Sequence, residues 1–151
     1  SVNIQRKLPH GLALNFSERK PLGVWCFKES CSYFDQNKIL WGQPAKSSGF
    51  IFLTIEDNRQ TEAKQIDDDF FKSIMEVAKN MIGEIRNITI LDGSFNEFRV
   101  YTADYYIIFT TNSNIQNQLD VLKIFMKDKD SDSGFHPQYI DLRIDGRVYY
   151  K

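Results

Sequence analysis

The chain has 151 residues, 42% of them hydrophobic, with 12 Phe and 7 Tyr, enough apolar material for a core in one domain or in two small packed units. Its 19 basic and 20 acidic side chains leave a formal charge of -1, which excludes a global field favouring nucleic acid or an anionic membrane surface. No stretch approaches the roughly 20 apolar residues that span a bilayer, and because the chain opens on Ser1 rather than Met it is read as a piece of a longer protein whose targeting segment lies elsewhere.

Val2 and Ile4 alternate before a turn at Leu8-Pro9-His10-Gly11, and Leu12, Leu14 and Phe16 alternate after it. This period-two pattern predicts a β-hairpin, with Pro9 presetting φ and Gly11 tolerating the return. Pro21 punctuates the second strand, and a new one runs through Val24 and Trp25 into a second hairpin around residues 26–31. Tyr33 and Phe34 lead to a polar turn over 35–38 and a short strand over 39–41. Residues 43–49 read as a loop, 50–55 as a buried strand, and 57–64 as a polar, exposed stretch.

Asp67, Asp68 and Asp69 precede apolar residues at Phe70, Phe71, Ile74, Val77, Ala78 and Met81, one face of a helix with acids at its positive end and Gly83 as its stop. Strands over 87–91, 97–102 and 105–110 form a meander around turns at Asp92-Gly93 and Ala103-Asp104. Ile115, Leu119, Leu122 and Met126 predict a second helix over 114–127, and the polar run 127–134 is a connector. Asp145-Gly146 splits the last thirteen residues into a hairpin, and a type I′ turn there would pair Ile144 with Arg147, Arg143 with Val148 and Leu142 with Tyr149. The fold class is therefore α+β: a mostly antiparallel β-sheet with two helices, preceded by a β-hairpin.

Chemistry is sparse. The eight glycines form neither GxGxxG nor GxxxxGK[ST], no GxSxG elbow occurs, and only two histidines, His10 and His136, are present. Three consecutive acids at a helix start point in different directions and cap the helix rather than hold an ion. Asp128, Asp130 and Asp132 lack the glycine and terminal Glu of a calcium loop. A wall-processing glycosidase would need paired carboxylates across a cleft, and the sequence names no pair. No metal or cofactor site emerges. Cys26 and Cys31 are too close in sequence to staple distant elements or make a zinc site alone. Composition leaves open a cross-hairpin disulfide or two reduced small hydrophobes.

Three stretches carry a resemblance. VNIQRKLPHGLALNFSERKPLGVW, residues 2–25, has a strand with Arg6, a Leu8-Pro9 turn, a second strand, then Glu18-Arg19, Pro21 and Trp25. YIDLRIDGRVYYK, residues 139–151, has a Tyr-hydrophobic-Asp-Leu-Arg strand turning into a final strand. The first looks like the end of a POTRA module, and the second is similar to the closing signature, of the bacterial cell-division FtsQ/DivIB family. YFDQNKILW, residues 33–41, resembles a turn of that family, with Asn37 where Gly is usual. YYIIFTTN stands where an Asn-Gly…Leu-Gly pattern often precedes the family's second helix.

The resemblance implies that residues 1–24 are the C-terminal strands of a truncated POTRA module and 25–151 an FtsQ-type β domain. Apolar surface on Val2, Ile4, Leu12 or Leu14 would then be uncovered unless other chains cover it. It further implies a cell-membrane protein with a short cytoplasmic tail and one transmembrane helix absent from this chain, the present residues lying on the extracytoplasmic side. The implied role is non-catalytic and cofactor-free: a scaffold of the septal divisome that binds FtsB- and FtsL-like proteins and septal peptidoglycan synthesis enzymes, without nucleic acid. A POTRA-type component of outer-membrane assembly or secretion is the rival, ranked lower because no POTRA repeat and no barrel is seen. With both cysteines outside the membrane, the resemblance implies a Cys26–Cys31 disulfide.

Within the closing signature, Asp141 and Arg143 lie two apart on one strand and form a structural pair, while Ile140, Leu142 and Ile144 alternate into the core. The final strand is expected at the sheet edge, with a binding set of Tyr139, Arg143, Ile144, Arg147, Val148, Tyr149 and Tyr150. Ile144 stands where some family members have an aromatic contact residue, which moves the anchor to Tyr149 or Tyr150.

Overall fold

The computed structural model describes residues 2–7, 11–16, 18–44, 52–60, 65–81, 83–129, 132 and 134–151. Strands β1 (Val2–Lys7) and β2 (Gly11–Phe16) pair antiparallel, from Val2 with Phe16 to Lys7 with Gly11, as a two-stranded sheet of their own. The expected turn residues 8–10 and the side chains of Val2 and Leu12 lie outside the described residues. Ile4, Leu14 and Phe16 are exposed.

The remaining elements are β3 (Gly23–Phe27), β4 (Ser30–Phe34), β5 (Leu40–Trp41), β6 (Leu53–Asp57), α1 (Asp68–Asn80), β7 (Asn87–Ile90), β8 (Glu97–Tyr101), β9 (Tyr106–Thr110), α2 (Ile115–Lys129), β10 (Tyr139–Asp141) and β11 (Tyr149–Tyr150). Among the described residues their strands form one nine-stranded sheet in the order β11-β10-β9-β8-β7-β6-β3-β4-β5. Five neighbouring pairs are antiparallel and three, β3 with β6, β6 with β7 and β9 with β10, are parallel. The protein is α+β with two helices and a mostly antiparallel sheet, as its strand and helix patterns predict.

Both helices are crossovers between parallel strands: α1 joins β6 to β7, and α2 joins β9 to β10. Through β8, β7 and β9 run the same way, and both connections step toward β11, so one handedness puts both helices on one face. There Phe70, Ile74, Val77, Leu119 and Leu122 close over Trp25, Phe34, Ile55, Ile88, Phe98 and Phe109. The helix starts follow from local chemistry. Asp67 accepts from the N–H of Asp69 and Phe70 at 3.0 and 3.2 Å, and Asn114 accepts from Gln116 and Asn117 at 2.8 and 3.2 Å.

Several expectations are corrected. β6 runs from Leu53 to Asp57 rather than over 50–55, whose first two residues lie outside the described set. Asp57, expected in an exposed stretch, is 0% exposed because β6 is interior, pairing Asp57 with Phe27 on one side and Ile90 on the other. Arg59 makes this burial tolerable by holding Asp57 through Nε and Nη2 at 2.9 and 2.8 Å while lying over the Phe70 ring. The Asp57 hydrogen bond raises the Arg59 pKa against the opposing effect of burial. Helix α1 ends at Asn80, with Met81 already extended, two residues before Gly83. α2 runs on to Lys129, into the expected connector. The large sheet begins at Gly23, so the boundary expected after residue 24 cuts β3.

Candidate partner-binding edge

β10 enters the sheet parallel to β9, aligning Tyr139, Ile140 and Asp141 with Tyr106, Ile107 and Ile108. β11 then pairs antiparallel with β10, Ile140 opposite Tyr150 and Asp141 opposite Tyr149. This register is one residue away from the expected one. Arg147 N–H donates to Ile144 C=O at 3.0 Å, and only Gly146, at φ 68, is left-handed in the turn. Positive φ at the third turn position alone is the type II requirement, whereas type I′ needs it at Asp145 as well. A type II turn mismatches the twist of a tight hairpin, so pairing stops at Asp141 and Tyr149 and residues 142–148 form a longer loop.

The loop explains a second correction. Ile140 and Leu142 are buried as expected, but Ile144 is 53% exposed because it opens the turn instead of continuing the strand. Val148 is half-buried against the core cluster, and Arg147 is exposed with Nη1 3.5 Å from Tyr149 Oη.

The two tyrosines of β11 point to opposite faces. Tyr150, opposite buried Ile140, lies on the helix side against Phe125 and Phe135, ring centroids 5.3 and 5.5 Å away, with Lys129 Nζ over its ring. Tyr149, opposite Asp141, lies on the other face with Tyr139, which stacks on Tyr106 at 5.7 Å. Tyr106 in turn meets Tyr101 and carries the Arg99 guanidinium at 4.8 Å.

Asp141 and Arg143 come together. Arg143 donates from Nε and Nη2 to the Asp141 carboxylate, and its backbone N–H donates to Asp141 Oδ1 at 3.0 Å. Burial pushes the Asp141 carboxyl up, but the Arg143 side-chain and backbone hydrogen bonds and its charge outweigh burial, so the group titrates below its ordinary value. Glu97, the other acceptor of Arg143, was not among the expected residues, nor were Phe125 and Phe135 beneath Tyr150. Phe125 is legible in the sequence as an apolar residue three positions after Leu122, beside the stripe of Ile115, Leu119 and Leu122 on α2.

β11 is the last strand of the sheet. Lys151 N–H donates to Tyr139 C=O at 3.3 Å and Lys151 C=O accepts from Gln138 N–H, so Lys151 faces β10. Alternation then turns the N–H and C=O of Tyr150 outward, toward the open side of the edge. Toward the opposite, β5 edge of the large sheet, Cys26 and Cys31 face each other on β3 and β4 and are joined as a disulfide.

Among the described residues no three His, Cys, Asp or Glu side chains form a metal-binding group, and no helix is long and apolar enough to cross a membrane. Neither a protein-family model nor a curated protein matches the sequence.

Proposed function

We propose that this chain is a non-catalytic binding module of the bacterial divisome, in which β11 recruits an extended partner segment by β-augmentation. The carrying observation is the edge itself: a terminal strand with outward backbone groups at Tyr150, flanked by two half-exposed tyrosines and by Arg147 and Lys151. Backbone pairing supplies affinity, the tyrosines supply anchors, and the cations favour an acidic partner and block indiscriminate pairing.

The resemblance of residues 2–25 and 139–151 to the FtsQ/DivIB family makes the partner the extracytoplasmic end of an FtsB-like protein, with FtsL-like proteins and septal synthesis enzymes in the same assembly. The whole protein would be anchored by one transmembrane helix, with these residues outside the membrane. The Cys26–Cys31 disulfide supports that side, since such bonds persist in oxidising compartments.

Val148→Pro removes the backbone donor of the loop residue that leads into β11, two residues before Tyr150, and fixes φ there. With circular dichroism showing an intact fold, binding of an FtsB-like extracytoplasmic peptide should weaken about tenfold. N-methylation of Tyr150 in a semisynthetic chain tests the same edge if the proline variant does not fold. Unchanged affinity in a folded variant would overturn the edge mechanism.

A further inference from the structure

A concavity lies between the C-terminal end of α1 at Asn80, the start of β9, and the shoulder of α2. Its volume of about 590 Å³ is that of a small-molecule site. The floor is apolar: Ile107 and Leu119 are buried, and Tyr105 and Met126 are half-buried. Among the described residues the Tyr105 hydroxyl meets the Met126 thioether, at 4.0 Å, a weak acceptor that leaves the phenol able to donate to a ligand. Burial, and secondarily the charge of Asp104, raise the Tyr105 pKa, so the hydroxyl stays protonated at neutral pH.

The rim is polar and unevenly charged. Lys123 and Lys127 stand one helical turn apart on α2, both exposed, and neither is paired with a described carboxylate. The rim also carries one carboxylate, Asp120, which accepts from Gln116 Nε2 at 3.0 Å and keeps its charge, so the two ammonium groups outnumber it. Two ammonium groups unpaired among the described residues, at the mouth of an apolar floor with one hydroxyl donor inside, match one ligand class.

We infer that this cleft binds a small amphipathic anion, its apolar body on Ile107, Leu119 and Met126 and its anionic head between Lys123 and Lys127. The apolar floor disfavours a fully hydrated anion such as phosphate, and the paired cations disfavour an uncharged hydrocarbon. The site shares no residue with the β11 edge and stands or falls independently of it.

Decanoate, with decanol as the uncharged control, tests this by methyl NMR on the whole chain. Expected are saturable decanoate shifts at the Ile107, Leu119 and Met126 methyls, with decanol binding more weakly. Lys123→Ala combined with Lys127→Ala, at exposed positions, should weaken decanoate about tenfold and leave decanol unchanged. Shifts confined to the exposed Ile4 and Leu14, equal binding of the two probes, or a double variant that binds decanoate normally would overturn the inference.

Discussion

Arg143 reaches back 46 residues to Glu97, its Nη1 donating to Oε1 at 2.8 Å while its Nε and Nη2 hold Asp141 at 3.0 and 2.7 Å. One guanidinium thus ties the loop before β11 to β10 and to the start of β8. Asp141→Asn should cost about 1 kcal/mol, because the charge-assisted fork is strong but Arg143 is partly exposed and screened. The carboxyl is depressed in the folded state, so its contribution is present above the unfolded carboxylate pKa of about 3.9 and is lost as pH falls through the lower folded value. Thermal melts should separate the two proteins at pH 7 and bring them together in strong acid. A gap that persisted in acid would assign the loss to packing instead.

Gly23→Ala should destabilise the fold by roughly 2–3 kcal/mol, with the denaturant midpoint as the readout. A Cβ on Gly23 would fall on the Leu53 carbonyl of β6 and lie 2.7 Å from the Phe34 ring. Neither can yield, since Gly23 pairs with Leu53 on one side and with Phe34 on the other, and Phe34 is fully buried. An alanine variant as stable as the parent would mean that β3 and β6 are farther apart than their pairing indicates.

Local pattern carried the elements that are closed by nearby chemistry. The alternation of Ile4, Leu12 and Leu14, the Asp67 and Asn114 caps, and the Asp92-Gly93 and Asp145-Gly146 turns are each legible within a few residues. The parallel pairings of β3, β6 and β7 are not, because nothing local reveals which distant strands will flank a segment. Asp57 was misplaced for that reason: polar in sequence, it is buried by neighbours 30 and more residues away, and its partner Arg59 looks like part of the same exposed run. At the candidate edge, the strand and its tyrosines follow from a period-two pattern, whereas Asp141 and Arg143 meet although Arg143 lies past the end of β10, because the Arg143 N–H turns back onto the Asp141 carboxylate. The register of β11 does not follow from that pattern, since it turns on one φ angle at Asp145, and Glu97 is a contact that only the folded sheet creates.

The Cys26–Cys31 bond closes a short loop, and on the chain-entropy model it should contribute about 2 kcal/mol. Protein purified without reductant should show no titratable thiol before denaturation and none after it until reductant is added. Cys26→Ala with Cys31→Ala should fold but melt earlier. Two reactive thiols in the native, oxidatively purified protein would remove both the bond and its support for an oxidising compartment.

Gln118 acts as a piece of strand supplied by a helix. Its Oε1 accepts from the Thr110 N–H at 3.0 Å and its Nε2 donates to the Thr110 C=O at 2.8 Å, closing the end of β9 where the ladder runs out. Gln118 and Thr110 are both buried, so water cannot take over these bonds. Gln118→Leu keeps the bulk of the side chain but orphans one donor and one acceptor on Thr110, and each orphan costs about 1–3 kcal/mol. The expected loss is therefore about 2–6 kcal/mol, above that of an isosteric change in an apolar core position. Gln118→Glu separates the two bonds: its carboxylate can still accept from the Thr110 N–H but faces the Thr110 C=O with no donor at neutral pH. Protonated, the same side chain can donate, so the Glu variant should regain stability relative to the parent as pH is lowered through its raised carboxyl pKa. Chemical denaturation of the parent and both variants at pH 7 and at mildly acidic pH reads this out. Equal stability of Gln118→Leu and the parent would show that the end of β9 does not depend on α2 for its backbone partners.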